Sequence, residues 1–292
     1  MQNLPKVSII TVNYNGEEVT CDMLESLRFV SYPNVEVIVV DNASARDCSV
    51  IAERFPEVKL IRSKKNLGFA GGNNLGIKEA TGDYILMLNN DTIVPTTFLE
   101  PMVETFLKNK NVGIVSPKII FYYSEGLVQY AGTGKISRLT CRGATNGYMQ
   151  KDNGQFNYEA STELSHGACM MISREAINKV GLLDETYFMF YEEYDYCERV
   201  KQAGFEIFYN GKSYILHKQS ITVGKNSPLK SYYMFRSRIY FMRKNFTGIS
   251  KALSVLYVVA IAMPKNFLSE LFKGRMANSS AIFRGTLWNL SH

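Results

Sequence analysis

Tyr84-Ile85-Leu86-Met87-Leu88-Asn89-Asn90-Asp91 runs from unbroken apolar side chains straight into two amides and a carboxylate. A short, wholly apolar run reads as a strand buried on both faces, as in a parallel sheet. An open α/β sheet places its ligand chemistry just outside the carboxyl ends of such strands. The pattern recurs upstream. Val7-Ser8-Ile9-Ile10-Thr11-Val12 reads as a buried strand ending in the turn signal Asn13-Tyr14-Asn15-Gly16. Val35-Glu36-Val37-Ile38-Val39-Val40 reads as another, ending at Asp41-Asn42, and Val58 to Ile61 as a short third. Helices are expected over Glu17 to Phe29, Ala45 to Phe55 and Thr96 to Leu107. The glycine-rich Asn66-Leu67-Gly68-Phe69-Ala70-Gly71-Gly72-Asn73-Asn74 opens one more, to about Ala80. Strands alternating with helices at this spacing predict an α/β fold: a Rossmann-like, mostly parallel sheet, right-handed crossovers, and helices on both faces. Three polar tips then share one edge: Asn13 to Asn15, Asp41-Asn42, and Asn89 to Asp91.

The pattern weakens from about Tyr122 to Glu163, where Gly, Tyr, Thr and Asn predict irregular structure and short antiparallel strands. Order returns at Ser165 to Ile172, followed by a short helix over Ser173 to Val180. Tyr191 to Ala203 reads as a longer helix ended by Gly204, Phe205 to Tyr209 as a strand, and Leu229 to about Asn245 as a helix after Pro228. This divides the chain into a domain over 1–245 and a helical C-terminal extension over 246–292. Within the domain the change of pattern separates two halves, 1–118 and 119–245.

The chain has 292 residues, 46% hydrophobic and 21% charged, enough to bury a large core and too apolar for disorder. The net charge of +6 is unevenly spread: from Lys225 onward eleven Lys or Arg stand against one acid, Glu270. A basic tail on a mildly acidic body points to an anionic partner: membrane lipid, a phosphate-bearing substrate or nucleic acid. Five cysteines, an odd number with no C-x-x-C, make neither a zinc site nor a disulfide framework and fit a reducing cytosol. Met1 to Lys6 lacks the apolar region of a signal peptide. The nearest candidate, Ala252 to Met263, is twelve residues without a charge, too short to span a bilayer. Phe267, Leu268, Leu271 and Phe272 recur at helical spacing beside Lys265, Lys273 and Arg275. That suits a helix lying in an anionic membrane surface, or one packed on the core or on a second subunit of a homodimer.

The chemistry narrows by exclusion. No G-x-x-x-x-G-K-[ST] is present, and no G-x-G-x-x-G follows a strand, which argues against a P-loop enzyme and a dinucleotide dehydrogenase. What remains is a base-and-ribose site built from strand ends. Asp41 either accepts from a base N–H or ribose hydroxyls or is a turn residue. Asp91 suits a divalent cation, which needs one or two protein carboxylates when phosphate oxygens complete its shell. His217, after Tyr214-Ile215-Leu216, is a candidate further ligand, suited to manganese as well as magnesium. Glu192, Glu193 and Asp195 open a helix beside Phe188, Phe190 and Tyr191. They either complement the helix dipole or supply a base, since apolar or like-charged neighbours raise a carboxyl's pKa towards neutrality.

Taken in order, these segments resemble the family 2 glycosyltransferases, which have the GT-A fold and use nucleotide-diphosphate sugars. The nearest-looking branch is the rhamnosyltransferase-like enzymes of bacterial cell-surface polysaccharide synthesis. The resemblance spans about Val7 to Lys244 and implies a nucleotide-binding half over 1–118 and an acceptor-binding half over 119–245. It rests on Val7 to Gly16, Val39 to Ser44, Asn66 to Asn73, Leu88 to Asp91, Gly167 to Met170, Gly181 to Glu185, Tyr191 to Arg199, His217 and Tyr232 to Arg236. It implies a donor site, for a dTDP or UDP sugar, drawn from Val12, Asn13, Tyr14, Asn15, Asp41, Asn42, Phe69, Asn73, Asn74, Asn89, Asn90, Asp91 and Arg236. Asn89-Asn90-Asp91 stands where the family has its D-x-D metal motif, leaving Asp91 as the ligand, with His217, for manganese or magnesium. Glu192-Glu193 stands for the family's E-D pair, so the resemblance puts the catalytic base on Glu193; Asp195 and Arg199 match the rest of that motif. It further implies an inverting transfer to a glycan or lipid-linked acceptor, with no nucleic acid involved, in the cytoplasm or on the inner face of the cell membrane. One catalytic carboxylate then suffices, whereas a glycosidase needs two flanking the bond. Two alternatives stand beside this. A sugar nucleotidyltransferase usually carries a glycine-rich basic loop where this chain has Asn13-Tyr14-Asn15-Gly16. A non-catalytic carbohydrate-binding protein with a degenerate site would suit Asn89.

Overall fold

The computed structural model describes residues 4–218 and 227–292. Gln219, Ser220 and Lys225 lie outside the described residues. The first half runs β1 (Val7–Asn13), α1 (Glu17–Leu27), β2 (Val35–Asp41), α2 (Ser49–Arg54), β3 (Lys59–Arg62), α3 (Gly68–Glu79), β4 (Tyr84–Leu88), β5 (Thr92–Ile93) and α4 (Leu99–Lys108). The second runs β6 (Val112–Phe121), β7 (Val128–Tyr130), β8 (Glu159–Ser161), β9 (Cys169–Ser173), α5 (Arg174–Val180), α6 (Glu192–Gln202), β10 (Glu206–His217) and α7 (Pro228–Asn245).

One sheet carries the order β3-β2-β1-β4-β9-β6-β10-β5, with β7 on β6 and β8 on β10. From β3 to β4 every pairing is parallel, as the alternating pattern predicts. Beyond β4 the sheet becomes mixed: β9 lies antiparallel between β4 and β6, and only β6 and β10 pair in parallel. The apolar run of β4 is continuous because its alternate residues feed two cores. Tyr84, Leu86 and Leu88 join the core on one face; Ile85 and Met87 join that on the other. Each such Leu, Ile or Met contributes roughly 1.5–3 kcal/mol by leaving water. Helix α3 lies against β1 so closely that a Cβ on Gly76 would sit 2.4 Å from Ile10 Cγ2.

Two strands differ from expectation. β6 was hidden by Pro117, a residue that reads against an internal strand. In the structure Pro117 faces Asn210, where β10 shifts register before Tyr214 resumes pairing with Lys118. That same irregularity carries β10 beyond Tyr209 as far as His217.

The tail overturns a further expectation. α8 (Gly248–Tyr257), a π-helical turn (Val258–Ala262) and α9 (Met263–Phe272) form one 25-residue helix, Gly248–Phe272. Its mean hydropathy is 1.5 in the most apolar stretch, of which 17% is buried, so it is long and apolar enough to cross a membrane. Counting only between charges missed it, because single lysines interrupt the run without interrupting the helix. The π turn sits just before Pro264, where a missing N–H disrupts regular pairing. α10 (Met276–Leu287) then returns to α7. The Arg236 guanidinium lies 3.9 Å over the Trp288 ring, and Asn289 Nδ2 donates to the Arg236 carbonyl at 3.1 Å. The extension is therefore packed on the domain through α10.

Candidate active site

A cleft of about 630 Å³ opens at the carboxyl ends of β1, β2 and β4. Its floor is Val12 and Tyr14 at the end of β1, Asn42 just after β2, and Leu88 to Asp91 at the end of β4. The glycine-rich segment forms one wall through Gly68, Phe69 and Asn73. Gly68 has φ +71°, and a Cβ there would lie 2.1 Å from the Phe188 carbonyl oxygen. Only glycine permits both that backbone and that approach. The Asn42 side chain clamps the segment, donating to the Gly68 carbonyl at 3.0 Å and accepting from Leu67 N–H at 2.9 Å.

The opposite wall is the entry to α6. Phe190 and Tyr191 are consecutive left-handed residues, φ 65° and 71°, which costs energy for bulky side chains and is retained where a fold must aim a functional group. The turn sends Glu192 and Glu193 into the cleft. Glu192 is buried, and the Oε2 atoms of both are sequestered with no protein hydrogen-bond partner. Burial pushes Glu193 up to about 7, against the opposing pull of backbone N–H groups. Burial and then the adjacent Glu193 charge raise Glu192 well above the usual carboxylate range. A carboxyl held this way is chemically able to act as a base near neutrality.

Asp91 completes the floor. Its Oδ1 lies 3.1 Å from His217 Nε2, and His217 Nδ1 lies 2.8 Å from the Gln129 side-chain amide. The far end of that amide is 3.4 Å from His166 Nε2. Among the described residues no group of three His, Cys, Asp or Glu side chains could hold a metal ion. A lone carboxylate with an imidazole beside it, facing a cleft with room for phosphate oxygens, still fits a magnesium- or manganese-type ion, which keeps few protein ligands.

The structure thus gathers Val12, Tyr14, Asn42, Phe69, Asn73, Asn89, Asn90, Asp91, Glu192, Glu193 and His217 around one cavity. The remaining six candidates do not line it. Asn13 is fully buried; it accepts from Gly16 N–H and Thr20 and donates towards Asp41. Asn15 is exposed and accepts from Ala45 N–H at 2.7 Å. Asp41 turns to Ser44 N–H and Asn13. Asn74 spends its amide on Leu183 and Glu185, bracing α3 against the segment before α6. Arg236 donates to the Thr186 carbonyl and stacks on Trp288. Asp195, fully buried, pairs with Arg199 at 2.9 Å and Lys244 at 2.9 Å, pinning α6 to α7. Each is a polar side chain whose bonding capacity goes to holding the scaffold.

Sequence reasoning missed Lys230 and Tyr233, which α7 presents to the cleft one turn apart, Tyr233 stacked on Phe188 at 4.9 Å. The available signal was Ser227-Pro228, a helix start whose Ser227 hydroxyl caps Lys230 N–H at 3.2 Å. Gln129 was also missed; nothing local marks it.

Comparison with known proteins agrees with this architecture. Residues 8–181 match the sequence model of glycosyl transferase family 2, more than half of the chain. The chain is 28% identical to the low-salt glycan biosynthesis hexosyltransferase Agl10 of Haloferax volcanii, over 80% of this chain and 75% of that protein. It is 24% identical to the dTDP-rhamnosyl transferase RfbF of Shigella flexneri, over 94% of each. Among solved structures it resembles the mannosyltransferase PcManGT from Pyrobaculum calidifontis, described in complex with GDP-Man and Mn2+. That likeness has a TM-score of 0.60 at 13% identity and covers 99% of this chain and 88% of the other. It speaks for the fold, which is GT-A: a Rossmann-like core flanked by helices, with a C-terminal helical extension.

Proposed function

This chain belongs to glycosyl transferase family 2, and we propose that it is an inverting enzyme using a nucleotide-diphosphate sugar and a divalent cation. The observation that carries the proposal is the shared cleft: Asp91 and the sequestered, near-neutral Glu193 line one cavity although they lie far apart in the chain.

The nucleoside would rest on Val12, Tyr14 and Asn42, against Phe69 and Asn73. Asp91 would hold the cation, with Lys230 as a second positive charge for the diphosphate. When bound, that cation offsets the negative charge that develops on the leaving diphosphate. Glu193 Oε2 would accept the proton of the acceptor hydroxyl. The freed oxygen would attack the anomeric carbon from the face opposite the diphosphate, and the carbon–oxygen bond to phosphate would break with its electron pair leaving on the diphosphate. Configuration inverts, and a single carboxylate base is enough. Phe188 and Tyr233 close the acceptor side with apolar surface, which keeps water from competing as nucleophile.

Similarity to RfbF along 94% of both chains supports a deoxysugar such as rhamnose on dTDP as the first donor to try. The exposed helix Gly248–Phe272 supports work at a membrane, on a lipid-linked glycan at its cytoplasmic side. Exposed apolar side chains there, Ile249, Leu253, Leu256 and Ile261, need a cover, and bilayer lipid supplies one. The test is a panel of nucleotide-sugar donors incubated with manganese, following release of nucleoside diphosphate with and without glycan acceptors. Release from one donor class, stimulated by acceptor, supports the proposal; none from any donor contradicts it.

A further inference from the structure

We infer that the C-terminal extension carries a lipid site of its own: a groove between the long helix Gly248–Phe272, α7 and α10 that holds one chain of an anionic bilayer lipid, with the lipid phosphate at Arg243 and Lys251. This goes beyond adhesion of an apolar helix to a membrane, and the groove shares no residue with the cleft.

The groove has a volume of about 770 Å³, within the range of small-ligand sites. Ile239 of α7, Val255 and Met263 of the long helix and Phe283 of α10 give it apolar walls. Walls of that kind are unfavourable in water and are stabilised by whatever apolar surface lies on them. Its charge is one-sided: Arg243 and Lys251 line it, and no acidic side chain does. Among the described residues neither cation forms an ion pair. The one acid from Lys225 onward, Glu270, is taken by Lys273 at 3.2 Å and Arg275 at 3.4 Å.

Polar and apolar parts are separated along the groove. Arg243 lies in the last turn of α7 and Lys251 in the first turn of α8, on either side of the corner at Phe246 and Thr247. Met263 follows Lys251 by twelve positions, about 18 Å along a helix. One leaflet of bilayer hydrocarbon is about 15 Å, half of the roughly 30 Å core. A cationic mouth on an apolar channel one chain long is complementary to an amphiphile that bears a phosphate. Inorganic phosphate would satisfy the mouth and leave the channel bare. A second copy of this chain is the poorer occupant. A two-fold contact over this face would bring together tails that each carry eleven Lys or Arg against one acid.

The test titrates the full chain with monomeric alkyl phosphates by calorimetry. Decyl phosphate, below its micelle concentration, should bind one to one. Octyl phosphate, two methylenes shorter, should bind about tenfold more weakly, and inorganic phosphate at least about a hundredfold more weakly. Excess dihexanoyl-phosphatidylglycerol should displace decyl phosphate, and the phosphatidylcholine of the same chain length should not. Lys251→Glu reverses the charge of an exposed side chain. It should weaken decyl phosphate by about tenfold or more and leave the neutral decyl maltoside unchanged. Ala252→Trp fills the groove from an exposed position and should weaken both amphiphiles alike with Tm kept. Absence of one-to-one binding, inorganic phosphate binding as tightly as decyl phosphate, or no displacement by phosphatidylglycerol would each overturn the inference. So would binding that neither substitution alters, or a dimer in light scattering that Ala252→Trp dissolves, which would give the groove to a second copy. None of these readings involves a sugar donor or turnover, so the glycosyl-transfer reading stands or falls separately.

Discussion

Glu193→Gln separates the chemistry from the scaffold more sharply than any other change, because it removes a base and relieves a strain at once. Loss of a positioned general base costs about 10²–10⁴-fold in rate, or roughly 3–5 kcal/mol of barrier. Donor binding should remain, since in the proposed mechanism the carboxylate meets the acceptor hydroxyl and not the diphosphate. In the wild type, a base titrating near 7 makes kcat/KM fall about tenfold per pH unit below that value. Stability should move the other way. Glu193 is raised in the folded state, so its contribution is favourable below the unfolded value near 4.5 and is lost as pH rises through about 7. Above that, the wild type carries on the order of 3 kcal/mol of burial cost that a neutral glutamine lacks. Thermal unfolding should therefore place Glu193→Gln above the wild type by roughly 5 °C at pH 8. At pH 5 the gap should shrink to under about 1 kcal/mol. The assay pairs nucleoside diphosphate release with differential scanning calorimetry at both pH values. Turnover within about threefold of wild type, or a Tm gap independent of pH, would refute the assignment of Glu193 as a sequestered base.

Gly68→Ala should cost at least about 1–2 kcal/mol for its left-handed backbone alone, with the collision at the Phe188 carbonyl added; urea unfolding and donor affinity should fall together. Lys230→Leu keeps the apolar stem and removes an ammonium group that lines the cleft, so calorimetry should show nucleoside diphosphate affinity down by about tenfold while free nucleoside binding, or its absence, is unchanged. Leu253→Ser with Leu256→Ser and Ile261→Ser should abolish co-sedimentation with anionic liposomes without lowering Tm, because all three side chains are exposed. A sharp change from oligomer to monomer in the same variant would show instead that a second copy covers that face.

The strand ends were legible because a strand buried on both faces must be apolar throughout, and its first polar residue marks the sheet edge. Glu192 and Glu193 were legible because two adjacent acids among aromatics are hard to solvate. The division of labour among the amides was not. Asn42, Asn73 and Asn74 look alike in sequence, yet Asn42 clamps a loop at the cleft, Asn73 lines it, and Asn74 faces away to Leu183. Which face an amide takes depends on segments more than a hundred residues off, as with Asn74 and Leu183, 109 positions apart. The link from Gln129 to His217, 88 positions apart, was hidden for the same reason. Arg236 lies off the cleft because its helix is covered by α10, and Trp288, just past the end of α10, captures the guanidinium. The long apolar helix was overlooked because helix continuity is a backbone property, whereas charge-free length is a property of side chains.

The central claim is that Asp91 and Glu193 serve opposite ends of one bond in one cleft. Isothermal titration of a nucleotide-diphosphate sugar with manganese into wild type, Glu193→Gln and Asp91→Asn tests it most directly. The account predicts near-equal donor affinity for the first two and a loss of at least about tenfold for Asp91→Asn, about 1.4 kcal/mol or more. Equal binding by all three proteins, or loss in Glu193→Gln as deep as in Asp91→Asn, would contradict it.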